Sequence, residues 1–480
     1  MKQKHIHFIG ICGVGMGAVA VMMKKMGWKV TGSDKGFFPP ISDFLQKNKI
    51  DFYPGWHPEK FANWQKTERK PDLVVVGNFI SLNNPEYLWF KKQKCDIKSY
   101  PEVVAKYVVK RNSVVATGTF GKTTISAFVA HTFKTANLKP SWFIGGLANN
   151  FFCGAKNNSS KWSVAEGDEY TTARWDPRSK FLLYQPTHLI LTSIIWDHFD
   201  VFPTEKKYDE SFKKLIDLIP ENGVIVAAKR EDTQKIDKMI LRSRALVIRY
   251  GKKGIISSTQ DYGYQIKSLD KKGARFSIYH ENKKLGDFQT CLLGEHLVEN
   301  FCAGIALCHY CGIKTTALKK AVKTFKGVKR RLEIRNKSKK IKVVDDLAHS
   351  PSKAMASLSA LRAHFPKARI FAIYEPNVGN RTLSSEPFYK NAFQKADYVI
   401  IPRLSLTKTE LGQEKRMSGE ELTKMIKEKN KSVDVFYFPD DDELIKFLIM
   451  TAKMDNIIVF LGSHGFRGMI EEIVKRVDKK

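Results

Sequence analysis

The segment Val114-Val115-Ala116-Thr117-Gly118-Thr119-Phe120-Gly121-Lys122-Thr123-Thr124 constrains this chain more than any other stretch. Two β-branched residues close a strand and a short glycine-bearing loop follows. Gly121-Lys122-Thr123-Thr124 then leads into an apolar helical pattern through Ile125, Phe128, Val129 and Phe133. Strand, loop and helix in that order make a phosphate cradle. Backbone N–H groups and the helix N-terminus face a polyphosphate, Lys122 adds a mobile positive charge, and Thr123 offers a hydroxyl to Mg²⁺. The loop departs from the strict Walker A spacing, because Ala116 occupies the position five residues before Gly121 where glycine is required.

A second, weaker turn of this kind lies near the N-terminus. Lys2 and Lys4 ahead of apolar residues 8–23 have the outline of a signal peptide. Gly10, Gly13, Gly15 and Gly17 break that run, and Lys24-Lys25 and a second strand pattern follow. A strand over 5–10, a glycine turn and a helix to Met26 are therefore expected. Residues 30–34 then end a strand on Asp34, about twenty positions on, where a Rossmann-like unit meets a ribose or nucleobase. The spacing Gly10-x-x-Gly13-x-Gly15 differs from the regular dinucleotide fingerprint. A strand at 73–77 and a helix near 85–92 continue the α/β pattern up to a basic linker at 106–112.

Beyond the phosphate loop, Glu166, Asp168 and Glu169 follow a short apolar strand, and His198 lies in Trp196-Asp197-His198-Phe199-Asp200 after a strand expected over 189–195. Open α/β sheets bind ligands at such strand ends. With Thr123 these groups can hold Mg²⁺, which prefers oxygen ligands and makes His198 an unusual one. Residues 224–289 read as strand-rich. Gly294-Glu295-His296 opens a helix that carries Glu299 and Asn300. After Arg330-Arg331-Leu332-Glu333, strands alternate with helices again, the first ending in Asp345-Asp346-Leu347-Ala348-His349-Ser350-Pro351.

A chain of 480 residues exceeds one core. The expectation is an α/β protein of three domains: a Rossmann-like domain over 1–107, a central phosphate-loop domain over 108–327 and a smaller α/β domain over 328–480. The formal charge of +32 invites a polyanionic partner. The lysines, however, come as scattered pairs with no basic arm or recognition helix, which favours nucleotide-sized anions over nucleic acid. Seven cysteines without a paired framework point to a reducing compartment, the cytoplasm. Cys308-His309-Tyr310-Cys311 sits in an apolar helical run with no second cysteine pair at zinc spacing, so core packing is the expectation there. No apolar run reaches a membrane span.

Six motifs, in order, resemble those of the Mur ligase family over essentially the whole chain. The family's G-T-x-G-K-T-S/T is matched by residues 118–124 and its D-H-x-D by 197–200. Its R-R-F/L-E is matched by 330–333 and its D-D-Y/F-A/G-H-H/T-P by 345–351. Its E-A-D-E is similar to 166–169 and its G-x-H-N-x-x-N to 294–300. The resemblance implies a sugar-nucleotide domain, an ATPase domain and a C-terminal Rossmann-like domain that closes over the site. It implies an ATP-dependent amide ligase acting on UDP-N-acetylmuramate through an acyl phosphate, with ATP and Mg²⁺. Four stretches (10–13, 39–42, 77–78 and 176–181) are similar to the branch that rejoins recycled L-alanyl-γ-D-glutamyl-meso-diaminopimelate. The branch that adds L-alanine shares the six motifs and stays open as the alternative, as does a non-ligase ATPase.

Carried over by motif, Gly118, Thr119, Phe120, Gly121, Lys122, Thr123 and Thr124 hold the phosphates of ATP, and Thr123, Glu166 and His198 hold Mg²⁺. Asn300 meets the adenine, Asp346 the ATP ribose, Arg331 the phosphoryl group, and His349 lies near the acyl phosphate. Gly10, Gly13, Gly15 and Asp34 serve the UDP moiety, and Arg178 and Lys180 the carboxylates of the peptide. The chain departs from the family pattern at Leu297, Ser350, Asn377 and Phe120. Asn377 replaces an arginine usual in the tripeptide branch.

Overall fold

The computed structural model describes residues 3–479 apart from 38, 63–69, 197, 199, 200, 257, 259, 339 and 405–414. Three sheets organise these residues. The first comprises β1 (His5–Ile9), β2 (Lys29–Asp34), β3 (Asp51–Pro54), β4 (Leu73–Val76) and β5 (Ile97–Ser99), ordered β3-β2-β1-β4-β5 with parallel pairing throughout. The chain runs outward from β1 to β3, then crosses back to β4 on the other side of β1. Capping fixes where its helices start. Asn84 accepts from the backbone of Glu86 and Tyr87 ahead of Pro85, and Ser99 with Glu102 forms a capping box.

The second sheet is built around β6 (Asn112–Thr117), β7 (Ser141–Phe143), β8 (Ala155–Lys156) and β9 (Trp162–Gly167), beside a small hairpin of β10 (Thr171–Ala173) and β11 (Asp176–Ser179). It continues through β12 (His188–Leu191), β13 (Val224–Ala228), β14 (Leu246–Lys252), β15 (Tyr262–Asp270), β16 (Gly273–His280) and β17 (Lys283–Thr290). β6 is central, parallel to β9 on one side and to β12 on the other. Its Val114, Val115 and Ala116 are buried, as expected of a parallel strand covered on both faces.

The third sheet orders β18 (Glu333–Ile334), β19 (Lys342–Asp346), β20 (Ile370–Glu375), β21 (Tyr398–Pro402), β22 (Asp434–Phe438) and β23 (Ile457–Gly462) as β18-β19-β23-β20-β21-β22. Alternate residues enter two separate cores. Val344, Ala372 and Val459 face one; Val343, Phe371 and Ile458 face the other. The architecture is thus three-domain α/β. By compactness the chain falls into two units. One holds residues 1–265, 276–290 and 298–328; the other holds 266–275, 291–297 and 329–480. Within the first, the helix Val14–Lys25 joins a core that also contains Phe143 and Cys153, and Cys153 Sγ donates to the Ala18 carbonyl at 3.4 Å.

Two local expectations change. The strand expected over 189–195 stops at Leu191, because residues 192–195 leave the sheet to bind the phosphate loop. The strand-rich stretch 224–289 also contains a helix, Gln234–Ile240. Cys308 lies in the helix Glu295–Tyr310, and Cys311 follows its end. Cys308 is fully buried, and no group of three metal-ligating side chains occurs among the described residues.

Candidate active site at the carboxyl ends of the central strands

The phosphate loop turns because two of its residues are glycine. Gly118 has φ +122°, and a Cβ there would come within 2.7 Å of Ser193 N. Gly121 caps the helix Lys122–Thr135 with φ +83°, and a Cβ there would come within 2.6 Å of Asn300 Oδ1. Neither position accepts a side chain without strain. Residues 192–195 hold the loop from outside. Thr192 Oγ1 donates to the Phe120 carbonyl at 2.6 Å, and Thr119 N donates to the Ser193 carbonyl at 3.1 Å. Ile195 N donates to Thr119 Oγ1 at 2.9 Å. Phe120 itself is exposed, so only its backbone belongs to this arrangement. Thr124 lies in the first turn of the helix.

Lys122 crosses to Glu169, donating to its two oxygens at 3.0 and 2.9 Å. Glu169 is wholly buried and also lies 3.3 Å from His198 Nε2. Burial would lower the Lys122 pKa, but Glu169 and then Asp168 outweigh it and raise it, so the lysine is charged. Glu169, expected from the sequence among the acids that can hold Mg²⁺, is instead the ion-pair partner of Lys122, a role the motif does not assign. A lysine this buried requires a carboxylate partner, and the run 166–169 was the place to look for it.

Beside this pair, Thr123 Oγ1 donates to Glu166 Oε1 at 2.8 Å and Gly145 N donates to Oε2 at 2.7 Å. Burial raises the Glu166 pKa against those hydrogen bonds and the Lys122 charge. No ion pair to Glu166 occurs among the described residues. A half-buried carboxylate and a hydroxyl in contact, with no cation touching the acid, fit a hard divalent ion that prefers oxygen. Of the D-H-x-D motif only His198 is described; Asp197, Phe199 and Asp200 lie outside the described residues.

Asp168 is paired with Lys180 at 2.5 Å. Burial works against its ionised form, but Lys180 and Lys122 prevail and hold its pKa below the ordinary carboxylate value. Lys180 is buried, and its Nζ lies 5.5 Å from the ring of Tyr100 and 5.3 Å from that of Tyr170. Arg178 is instead exposed and grips Asp176 through Nε and Nη2 at 3.0 and 2.8 Å.

The N-terminal turn stands in the same compact unit. Gly10 has φ +85°. Gly13 caps the helix Val14–Lys25, and a Cβ on Gly15 would meet Phe143 at 3.3 Å and Tyr100 at 3.4 Å. Asp34 Oδ2 accepts from Cys12 N at 2.8 Å, so this acid braces the turn.

In the other unit, Asp345 is paired with Arg330 at 3.2 Å and Arg335 at 2.8 Å. Arg330 also donates to the carbonyls of Gly462, Ser463 and His464. Asp346 accepts from Leu332 N at 2.7 Å, and burial, offset in part by the nearby Arg331 charge, pushes its pKa up to about 6. His349 Nδ1 lies 2.8 Å from the Leu347 carbonyl. Leu297 is buried, and Ser350 caps the helix Pro351–His364 without a side-chain bond.

A phosphate loop with a buried lysine, set between acids on parallel strand ends, is the equipment of an enzyme that uses a nucleoside triphosphate. Three family models match the chain in succession: "Mur ligase family, catalytic domain" over 5–111, "Mur ligase middle domain" over 116–308, and "Mur ligase, glutamate ligase domain" over 330–464. The chain is an ATP-dependent ligase that forms amide bonds. It belongs to the Mur ligase family.

It is 29% identical over 483 residues to the UDP-N-acetylmuramate–L-alanyl-γ-D-glutamyl-meso-2,6-diaminoheptandioate ligase of Haemophilus influenzae, covering 100% of both chains. It is also 29% identical over 473 residues to the UDP-N-acetylmuramate–L-alanine ligase of Acetivibrio thermocellus, covering 96% of this chain and 94% of that one. The solved UDP-N-acetylmuramate–alanine ligase of Thermotoga maritima shares the fold, with a TM-score of 0.77 at 23% identity and full coverage of both chains. No helix among the described residues is long and apolar enough to cross a membrane.

Proposed function

We propose that this chain joins the amine of L-alanyl-γ-D-glutamyl-meso-diaminopimelate to the carboxylate of UDP-N-acetylmuramate, in cytoplasmic peptidoglycan recycling. The observation that carries the reading is one chain of contacts within one compact unit. The Phe79 ring lies 5.5 Å from Tyr170, and Tyr170 lies 5.3 Å from His198. His198 and Lys122 meet on Glu169. A sugar nucleotide in the crevice of the first sheet is thereby a neighbour of the phosphate loop. The full-length likeness to the Haemophilus enzyme and the four stretches of its branch support the tripeptide as acceptor.

A carboxylate is a poor acyl donor because its leaving group would be oxide. Transfer of the γ-phosphoryl of ATP gives an acyl phosphate, and the peptide amine displaces phosphate through a tetrahedral intermediate. In this reading residues 118–124 wrap the ATP phosphates, and Lys122 and Arg331 spread the charge that builds on the transferring group. Thr123, Glu166 and His198 hold Mg²⁺, which supplies charge neutralisation when bound. Asn300, packed on Gly121, borders the adenine, and Asp346 accepts from the ribose hydroxyls. His349 serves the acyl phosphate end. Gly10, Gly13 and Gly15 let the sugar nucleotide approach, with Asp34 fixing the turn. Of the two cations assigned to the peptide, exposed Arg178 suits the role directly. Lys180, neutralised by Asp168, contributes by holding that acid. The domains are proposed to divide at 107/108 and 327/328.

The test is ADP release with saturating ATP and UDP-N-acetylmuramate, comparing kcat/KM for the tripeptide and for L-alanine. The reading requires dependence on both sugar nucleotide and amine, with the tripeptide preferred. Preference for L-alanine installs the second reading, which the likeness to the Acetivibrio enzyme favours. ATP turnover stimulated by nucleic acid alone would sink both.

A further inference from the structure

Arg230 belongs to no motif, yet its place in the fold is specific. In the second sheet β13, β12 and β6 lie side by side and parallel, which brings their carboxyl ends together. β6 runs into the phosphate loop, β12 into the residues 192–195 that hold it, and β13 into Lys229 and Arg230. Buried Thr233 fixes Arg230 on its own backbone. Arg230 N donates to Thr233 Oγ1 at 3.2 Å, and that hydroxyl donates to the Arg230 carbonyl at 2.8 Å.

The guanidinium reaches in three directions. Nη1 donates to Glu299 Oε1 at 2.6 Å, Nη2 to the Thr192 carbonyl at 3.1 Å, and Nε to Asp232 Oδ1 at 3.1 Å. The adjacent Lys229 goes elsewhere, to Asp237 at 2.9 Å. Burial works against the Arg230 charge, but Glu299 outweighs it and raises the pKa. Two of these contacts lead back to one loop. Thr192 Oγ1 donates to the Phe120 carbonyl. Glu299 directly precedes Asn300, whose Oδ1 lies against Gly121. Phe120 and Gly121 are neighbours, so Arg230 ties together the two elements that grip the loop at adjacent residues. A planar fork holds two acceptors in fixed directions, which a lysine does not.

We infer that Arg230 is a positioning residue for ATP. It acts through Glu299 and Thr192, holding the helix that carries Asn300 in register with the phosphate loop, so that adenine and polyphosphate are met at one fixed spacing. The inference rests on the proposed place of Asn300 beside the adenine.

The test is calorimetric binding of ATP, inorganic tripolyphosphate and UDP-N-acetylmuramate to the wild-type chain and its variants. Arg230→Met is expected to weaken ATP about tenfold, Glu299→Leu by about the same factor, and the double variant by no more than either, because both cut one bridge. Tripolyphosphate and UDP-N-acetylmuramate stay within about twofold, since Thr192 Oγ1 still holds the loop. Arg230→Lys, which keeps the charge and loses the fork, stays at least about fivefold weaker for ATP. Unchanged ATP affinity in Arg230→Met overturns the inference, and with a lowered Tm it makes the pair structural only. Equal losses for ATP and tripolyphosphate, losses that multiply in the double variant, or full recovery in Arg230→Lys overturn it too. Should Arg230→Met not fold, Glu299→Gln keeps an oxygen for Nη1, and its ATP affinity is expected to fall about threefold; no change overturns the inference. Asn300→Leu separates the two readings. If it leaves ATP affinity unchanged, the adenine assignment fails and the inference with it. If it weakens ATP while Arg230→Met does not, the inference alone fails.

Discussion

Two strand ends carry adjacent acids and treat them differently. After β9, Asp168 and Glu169 each have a lysine, Lys180 and Lys122. At the end of β19, Asp345 has two arginines, while Asp346 has backbone N–H groups and only a nearby Arg331 charge. Among the paired acids, Asp168 is held below the ordinary carboxylate value by Lys180 and Lys122. The unpaired one is pushed up to about 6 and sits in the range where a ligand's donors decide its state. Burial is common to both strand ends, so the difference comes from the cation within contact distance.

The largest expected effect comes from breaking the first pairing. Lys122→Ala should lower kcat/KM for ligation by about 10³-fold or more, as expected when a charge-stabilising group is lost from phosphoryl transfer. UDP-N-acetylmuramate affinity should stay within about twofold. The same variant strips Glu169 of its lysine and should cost about 3 kcal/mol of stability. The double variant Lys122→Met/Glu169→Gln separates the two effects. Its denaturation midpoint should recover while ligation stays absent. Recovered ligation would remove Lys122 from the chemistry.

The second strand end predicts a pH dependence. A carboxyl raised from 3.8 to about 6 takes up its proton in the folded chain before the unfolded one. The folded state therefore binds more protons between those values. Stability from this group is fully present below about pH 4 and falls as pH rises through 6, by at most about 3 kcal/mol. Asp346→Asn keeps an oxygen for Leu332 N and removes the charge. It should stabilise the chain at pH 8 and match the wild type at pH 4, by urea denaturation at both. An equal gain at both values would show that burial of the charge is not the cause. In the proposed role the same variant also raises KM for ATP.

The phosphate loop offers a third, smaller test. Gly121→Ala forces φ +83° on a side chain and drives its Cβ onto Asn300. A loss of roughly 1–3 kcal/mol is expected, with ATP affinity down about tenfold. Gly10→Ala, at φ +85°, meets the Ile80 side chain at 3.0 and 3.2 Å and the Gly77 Cα at 3.9 Å. It should cost about 1 kcal/mol and leave ATP affinity intact.

Much of this was legible in the sequence. β-branched runs ending in glycine or acid gave the strand ends of all three sheets, because a parallel strand is apolar until it leaves the core. The loop glycines and Lys122 follow from a phosphate's need for backbone N–H groups and charge, whereas Glu166 stands out from its neighbouring acids only through its likeness to the family motif. What periodicity could not give was pairing across the fold. Lys122 finds Glu169 over 47 positions, and Thr119 finds Ile195 over 76. The apolar 189–195 run looked like one strand because its last residues cover the loop with backbone groups, which hydropathy does not register. Arg178 and Lys180 looked alike for the same reason. Their spacing gives both the same chemistry, and only burial separates them.

That separation is the smallest effect and the sharpest form of the comparison. Arg178–Asp176 is an ion pair with the arginine 61% exposed, whereas the Lys180 side chain is 5% exposed against Asp168. Exposed pairs contribute little, since water solvates both partners about as well as they solvate each other. Arg178→Ala should therefore change stability by no more than about 0.5 kcal/mol. If Arg178 meets a peptide carboxylate, KM for the tripeptide should rise about tenfold, with kcat and KM for UDP-N-acetylmuramate unchanged. Lys180→Ala should do the reverse. It leaves Asp168, whose side chain is 34% exposed, beside Glu166 without its lysine, so the denaturation midpoint and kcat fall together whatever the acceptor. Arg178→Lys keeps the charge but loses the two-point grip, and should recover part of the KM. Equal behaviour of the 178 and 180 variants would show that both act on the peptide, and that the buried pair at Asp168 opens when substrate arrives.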